Sequence, residues 1–317
     1  MDEFTQVAHR LLVAFRRRRP LRAGSLITTV FGDSLAARKC EVSLSGLIDL
    51  MAPFGLTERL VRTSIGRLAK DDWVAAQRVG RLSYYRLSAS GEERFAAATH
   101  RIYAAPLDRW EGIWTMLIVP TQTGRDARDR IRDTLRWSGF GQMVPGVYLY
   151  PGMDCDDARR LIAADGGTSV LVLQVRSESA EGDRRMIAQG WNLADLERRY
   201  TRFITRFAPA WQAVMHGPLP DPQHCFHIRT LLIHEYRKVH LLDPQLPRPL
   251  LPPDWAGNAA YELCRRLYRQ IASGSDEYVH SMLATRYGPL PPPDARTRLR
   301  FAPAAEPAGH DPQQVPG

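Results

Sequence analysis

Hydrophobic positions fall at helix and strand spacings along most of the chain, and the clearest pattern runs from Ser43 to Ser88. Ser43–Phe54 (SLSGLIDLMAPF) predicts a short helix with Leu47, Ile48 and Met51 clustered, ended by Pro53 and Gly55. Thr57 is placed to cap the next helix, with Glu58 in its first turn, where a negative charge suits the helix dipole. In TERLVRTSIGRLAKDDW, Val61, Ile65 and Leu68 fall within about 60° of one another at ~100° per residue and predict a buried stripe. Arg59, Thr63 and Arg67 point the other way, with Arg62 on the flank. Two β-rich runs follow, from Trp73 to Leu87, and predict a hairpin turning at Gly80 with Arg78 and Arg81 near its tip. Ser25–Leu35, with Leu26, Ile27, Val30 and Phe31, supplies a first helix, and residues 89–105 a helical connector carrying Phe95 and Ile102.

Helix, turn, arginine-faced helix and basic hairpin in this order predict a winged helix-turn-helix over residues 25–105. Arginine forks match the acceptor pair of guanine in the major groove and also clamp phosphates, and basic wing tips meet phosphates or the minor groove. The plainer reading is two helices and a hairpin with a solvated basic surface. Residues 1–24 hold a short amphipathic piece, then Arg16–Arg19 and Arg22, expected as a basic arm along DNA or a frayed end.

Beyond the connector the pattern changes. Trp114–Val119 reads as a buried strand, Gly124–Trp137 as a helix with Ile131 and Leu135 on one side, and Gly139–Pro151 as a strand with a Pro-Gly break, a bulge or a hairpin. Asp154–Ala164 reads as a helix and Ser169–Val175 as a strand. This order predicts a central ferredoxin-like α/β sandwich over 106–180, with helices on one face. Residues 181–290 predict a helical domain. Leu196, Tyr200, Phe203, Phe207 and Trp211 form one stripe, and Ile228, Leu231, Leu232, Tyr236 and Val239 another. From 291 to 317 Pro, Ala, Gly and Gln dominate, so a disordered tail is expected. The fold class is therefore α+β and multidomain.

Charge sharpens the picture. Residues 1–105 hold 17 Lys+Arg against 10 Asp+Glu, while the rest hold 26 against 24, so the positive excess lies with the predicted DNA-binding unit. Only Lys39, Lys70 and Lys238 are lysines, so the arginine bias can also reflect genome composition. Cys40, Cys155, Cys225 and Cys264 form no CxxC and point to a reducing cytoplasm. No apolar run approaches the ~20 residues that span a bilayer, and no signal-peptide core opens the chain. His224, Cys225, His227, His234, Glu235 and His240 match neither HExxH nor a zinc-finger spacing, and Asp154, Asp156 and Asp157 suit a helix start, so no metal or cofactor is expected. No Gly-x-Ser-x-Gly elbow is present, and an enzyme is not expected. A metal-dependent nucleic-acid enzyme built on the central unit and an effector-independent DNA-binding protein are the competing readings.

With these pieces laid out, the chain resembles the PaaX family of transcriptional regulators, the repressors of phenylacetic acid degradation. The resemblance rests on LMAPFGLTERLVRTSIGRLAKDDW with GRLSYYRLS, and on the run Phe226–Tyr268 beginning FHIRTLLIHEYRKVHLLDP. It implies a homodimeric repressor on double-stranded operator DNA, released by an aryl-CoA thioester, typically phenylacetyl-CoA. It carries DNA reading onto Arg59, Arg62, Thr63, Arg67, Arg78 and Arg81. No short signature fixes the effector pocket. The family-like run His234-Glu235-Tyr236-Arg237 is the place to examine, with Arg229 and Arg237 as candidate phosphate partners, and it reads also as a structural polar cluster.

Overall fold

In the computed structural model, which describes residues 2–218, 220–295, 297, 300 and 301, the chain begins with a packed helix. Helix α1 (Glu3–Arg16) is capped by Asp2, whose carboxylate accepts from the Thr5 N–H. Phe4, Val7, Leu11, Leu12 and Phe15 form its buried stripe. Such a stripe needs cover, and the chain's C-terminal helices supply it. The expected basic arm is thus replaced by a core helix. Two arginines of the basic run are used internally: Arg16 donates to the Pro53 carbonyl and Arg18 pairs with Glu235 at 2.6 Å.

Helix α2 (Ala23–Val30) passes into a π turn at Phe31–Leu35 and a 3-10 turn at Ala36–Arg38. Strand β1 (Val42–Ser43) leads to α3 (Leu44–Met51), whose N-terminal Gly46 N–H is capped by the Ser43 hydroxyl. Helix α4 (Glu58–Lys70) starts where Thr57 accepts from the Leu60 N–H. Strands β2 (Val74–Val79) and β3 (Leu82–Leu87) form a hairpin in a sheet ordered β1-β3-β2. Val79 faces Leu82 across a two-residue turn, where Gly80 has φ +59°, a conformation that glycine adopts at low cost. Helix α5 (Ala89–Tyr103) follows.

The central unit contains β4 (Trp114–Ile118), α6 (Arg125–Trp137), β5 (Gly141–Val144), β6 (Val147–Pro151), α7 (Cys155–Ala163) and β7 (Leu171–Val175). The Pro-Gly break is a hairpin turn, so residues 139–151 give two strands with an irregular register between Gln142 and Val144. The sheet is ordered β5-β6-β4-β7 and antiparallel throughout. Ile131 and Leu135 of α6 and Ala158 and Ile162 of α7 cover one face, against Leu117 and Tyr148. Helix α8 (Ala180–Gly190), expected with the helical C-terminal unit, packs on the opposite face through Ile187, beside Trp114 and Leu149.

The last helices are α9 (Leu193–His216), α10 (Pro222–His240) and α11 (Ala256–Met282). They share one continuous apolar core with α1 to α5, running from Phe4 to Phe301. Part of the expected disordered tail joins this core: Asp294 N–H donates to the Ala37 carbonyl, and Arg300 and Phe301 are buried. Residues 296, 298, 299 and 302–317 of that expectation lie outside the described residues. No helix among the described residues is long and apolar enough to cross a membrane.

Candidate nucleic-acid interface and interdomain junction

Helix α4 divides as its sequence predicts. Val61 and Ile65 are buried against the core, with Leu68 partly buried beside them. Arg59, Arg62, Thr63 and Arg67 are all exposed, and Gly66 leaves open space on that side. Arg62 pairs with Glu58 at 2.7 Å, and the Thr63 hydroxyl donates to the Arg59 carbonyl at 2.8 Å. Both contacts lie in solvent, where an ion pair contributes little, so Arg62 can exchange Glu58 for a phosphate at small cost. Arg78 and Arg81 are exposed at the hairpin tip, flanked by Val79 and Leu82, which are also exposed. Two basic elements thus stand free of the core.

The second feature is the junction between this unit and the C-terminal helices. The π turn after α2 places Asp33 inward, 3% exposed. Its carboxylate accepts from Tyr103 of α5 at 2.6 Å, from Arg229 of α10 at 2.8 Å, from Tyr268 of α11 at 3.0 Å and from Arg300 at 3.1 Å. Burial raises the carboxyl, but Arg229 and Arg300 outweigh it and hold the Asp33 pKa below its ordinary value. Asp276 joins Arg229 at 3.0 Å to Arg38 at 3.1 Å. Sequence reasoning missed this hub. Its sole local trace is one acid inside the apolar run SLITTVFGDSL.

A cavity of about 580 Å³ lies beside the hub, walled by α2, α5, α10 and the end of α6. Trp73, Phe95, Ile102, Trp137, Ile233 and Leu241 line it, and Arg94, Arg101 and Arg237 are also part of its wall. A second cavity of about 510 Å³ shares Arg101 with it. Arg101 donates to the Trp137 and Asp243 carbonyls, both at 2.9 Å, and so ties all three units together.

The candidate effector residues do not form one pocket. Arg237 reaches the first cavity's wall while bonding Thr29 and Ser25 of α2 at 2.9 and 2.8 Å. Arg229 is spent on Asp33, Asp276 and Tyr268, which leaves it unsuited to clamping a ligand phosphate. His234 bonds Thr29 at 3.0 Å and packs edge-on to Phe15, and burial first, with Lys238 and Arg237, pushes its pKa down to about 3. Glu235 binds Arg18, Arg206 and Lys238. Burial opposes its ionisation, but the Arg18 hydrogen bond and neighbouring cations lower its pKa to about 2. Tyr236 is buried among aromatic rings. The run is thus largely an interdomain seam.

His224 packs beside Thr5, Asp221 and His227, while His227 is buried. Among the described residues no group of three His, Cys, Asp or Glu side chains is placed to hold a metal ion. Asp154 instead caps α7 through the Asp156 N–H, while Asp156 and Asp157 pair with Arg159 and Arg160.

Comparison with known proteins gives three family matches along the chain: PaaX-like protein at residues 22–91, the PaaX protein central Cas2-like domain at 107–187, and the PaaX-like protein C-terminal domain at 191–281. The transcriptional repressor PaaX of Escherichia coli (strain K12) is 33% identical over 287 residues, which cover 89% of this chain and 90% of that protein. The chain belongs to the PaaX family of transcriptional regulators. Among solved structures, the uncharacterized protein Rv0674 from Mycobacterium tuberculosis is similar with a TM-score of 0.47 and 24% identity, covering 73% of this chain and 90% of that one. The first PaaX match takes in α2 to the start of α5, and the third takes in α9 to α11. The Asp33 hub therefore joins the first and third PaaX regions.

Proposed function

We propose that this chain is a cytoplasmic, homodimeric transcriptional repressor of a phenylacetate-type catabolic operon, released from its operator by an aryl-CoA thioester such as phenylacetyl-CoA. The observation that carries the reading is the exposed arginine face of α4 beside a basic hairpin, in a chain one-third identical to a named repressor. In this reading α2 to β3 act as a winged helix-turn-helix, with α4 in the major groove and Arg78 and Arg81 on the flanking backbone. The central β-α-β-β-α-β unit acts as a ferredoxin-like spacer that fixes where each DNA-reading unit stands in the dimer.

The junction cavity supports the effector part. Its aromatic and aliphatic walls suit the apolar stretches of an acyl-CoA thioester, and the exposed Arg94 suits a phosphate. Its walls include α2, which packs against α4. A ligand that binds better when these helices shift apart favours a spacing that misfits the operator, and its differential affinity sets how far the equilibrium moves.

The test is binding of the purified protein to its own promoter DNA and to random DNA at one salt concentration. The reading expects specific binding, weakened when Arg62 and Arg67 are both replaced by Ala in a folded protein. Operator affinity unchanged by that double substitution contradicts the assignment of α4.

A further inference from the structure

Phe301 is a bulky residue held at φ +57°, a left-handed conformation that such side chains rarely adopt. Its ring is nevertheless fully buried. Four tyrosines surround it: Tyr103 of α5 at 5.0 Å between ring centroids, Tyr268 of α11 at 5.3 Å, Tyr261 of α11 at 5.7 Å and Tyr236 of α10 at 6.2 Å. The cage adjoins both junction cavities, because Tyr103 lines the first and Tyr261 the second. One polar group in its wall is unsatisfied. The Tyr236 hydroxyl is buried and has no hydrogen-bond partner among the described residues. Buried hydroxyls nearly always find one, so an orphan here marks a place where an acceptor is missing.

The phenylalanine side chain is a benzyl group. An arylacetyl thioester presents the same benzyl group, with a carbonyl group bonded directly to its methylene. We propose that the Phe301 cage is the aryl subsite of this protein, and that Phe301 is a built-in occupant which an arylacetyl thioester displaces. The ring of the ligand takes the place of the Phe301 ring, and its carbonyl accepts from Tyr236. This rests on the aryl-CoA reading above and adds to it the subsite and the competitor.

The exchange also gives the ligand a route to the DNA-binding unit. The residue before Phe301 is Arg300, which donates to the Asp33 carboxylate at 3.1 Å and to the Gly32 carbonyl at 3.2 Å. The same C-terminal stretch accepts from Arg38 at Pro291 and donates from Asp294 to Ala37. All these contacts fall on residues 32–38, the turns that follow α2. Expelling Phe301 pulls Arg300 from the Asp33 hub and loosens α2, which packs against α4. Strain at Phe301 and the Tyr236 hydroxyl, without a partner among the described residues, both favour the exchanged state.

The experiment compares the wild-type chain with Phe301→Ala by titration calorimetry with phenylacetyl-CoA. If Phe301 fills the cage about nine-tenths of the time, removing its ring raises apparent affinity about tenfold, because the competent fraction no longer limits binding. The thioester concentration that half-releases operator DNA falls in parallel. Equal or weaker binding by Phe301→Ala, with the wild type still binding the thioester, overturns the cage as aryl subsite and leaves the effector reading standing. Absence of thioester binding by both proteins removes the effector reading, and the cage proposal with it. A second measurement does not depend on how the alanine variant packs: 4-fluorophenylalanine placed at position 301 reports by fluorine NMR. The expected result is a shift from a buried to a solvent-exposed resonance on adding phenylacetyl-CoA. A resonance that stays buried at saturation overturns the displacement.

Discussion

Replacing Asp33 with Ala removes the carboxylate that meets Arg229 and Arg300 together, and also strips the Tyr103 and Tyr268 hydroxyls of their acceptor. Arg229 keeps Asp276 at 3.0 Å, whereas Arg300 keeps only carbonyl and hydroxyl partners among the described residues. Breaking a buried pair by removing one partner costs about 3–5 kcal/mol, because a desolvated charge is left behind. The expected loss for Asp33→Ala is therefore about 3–5 kcal/mol, a large fraction of the ~5–15 kcal/mol typical of a folded domain. Asp33→Asn keeps an acceptor oxygen but no charge, and is expected to fall between wild type and Ala. Urea denaturation followed by circular dichroism measures both, with the slope checked for constancy so that a midpoint change reads as stability. Because α1 to α5 and α9 to α11 share one core, they are expected to unfold in one transition. A loss below about 1 kcal/mol for Asp33→Ala would refute the claim that this hub ties α2 and α5 to the C-terminal helices.

Further predictions follow from the same geometry. His227 and His234 have pKa values of about 4 and about 3, below the unfolded value of 6.5, so the unfolded chain takes up their protons first as pH falls. Their neutral burial is without penalty above pH 6.5 and costs stability below it, by about 3 kcal/mol for the pair between pH 8 and pH 5.5; a flat stability profile over that range contradicts it. Arg59→Ala or Arg67→Ala is expected to reduce the salt slope of operator binding by about 1 if the side chain meets a phosphate, or to cost about 1–3 kcal/mol with relaxed specificity if it reads a base; anisotropy titrations at several salt concentrations decide, and no change in either removes the residue from the interface. The pair Arg78→Ala and Arg81→Ala is expected to weaken operator and random DNA by the same factor, and a selective effect on the operator would mean that the wing reads sequence. Ala98→Trp places an indole in the 580 Å³ cavity and is expected to abolish the thioester response while operator binding persists; a normal response in that variant excludes this cavity as the ligand's route.

The parts legible in the sequence are those governed by local rules. The α4 stripe, the Thr57 cap and the Gly80 turn each depend on residues a few positions apart, and each is where its pattern places it. The exposed arginines of α4 follow from the same period. The amphipathic start of the chain was visible too, but what covers its apolar face lies about 200 residues away, so a buried α1 looked like an arm. The pairings of Asp33 with Arg229 and Arg300 likewise join distant positions and leave no periodic trace. For the same reason Arg229 could be picked out as a cation near a family-like run, but not as one already satisfied. Phe301 sits in a Pro- and Ala-rich stretch whose composition argues for disorder, and the tyrosine cage, with the contacts of Asp294 and Arg300, shows otherwise for these residues.

The most direct test of the central claim is the affinity of the purified protein for its own promoter DNA at fixed salt, measured with phenylacetyl-CoA, with phenylacetate and with free CoA. A ligand-responsive repressor binds this DNA specifically and is released by the thioester alone. Specific binding that the thioester leaves unchanged contradicts the coupling of the junction to α4, and equal affinity for promoter and random DNA contradicts the DNA-reading role itself.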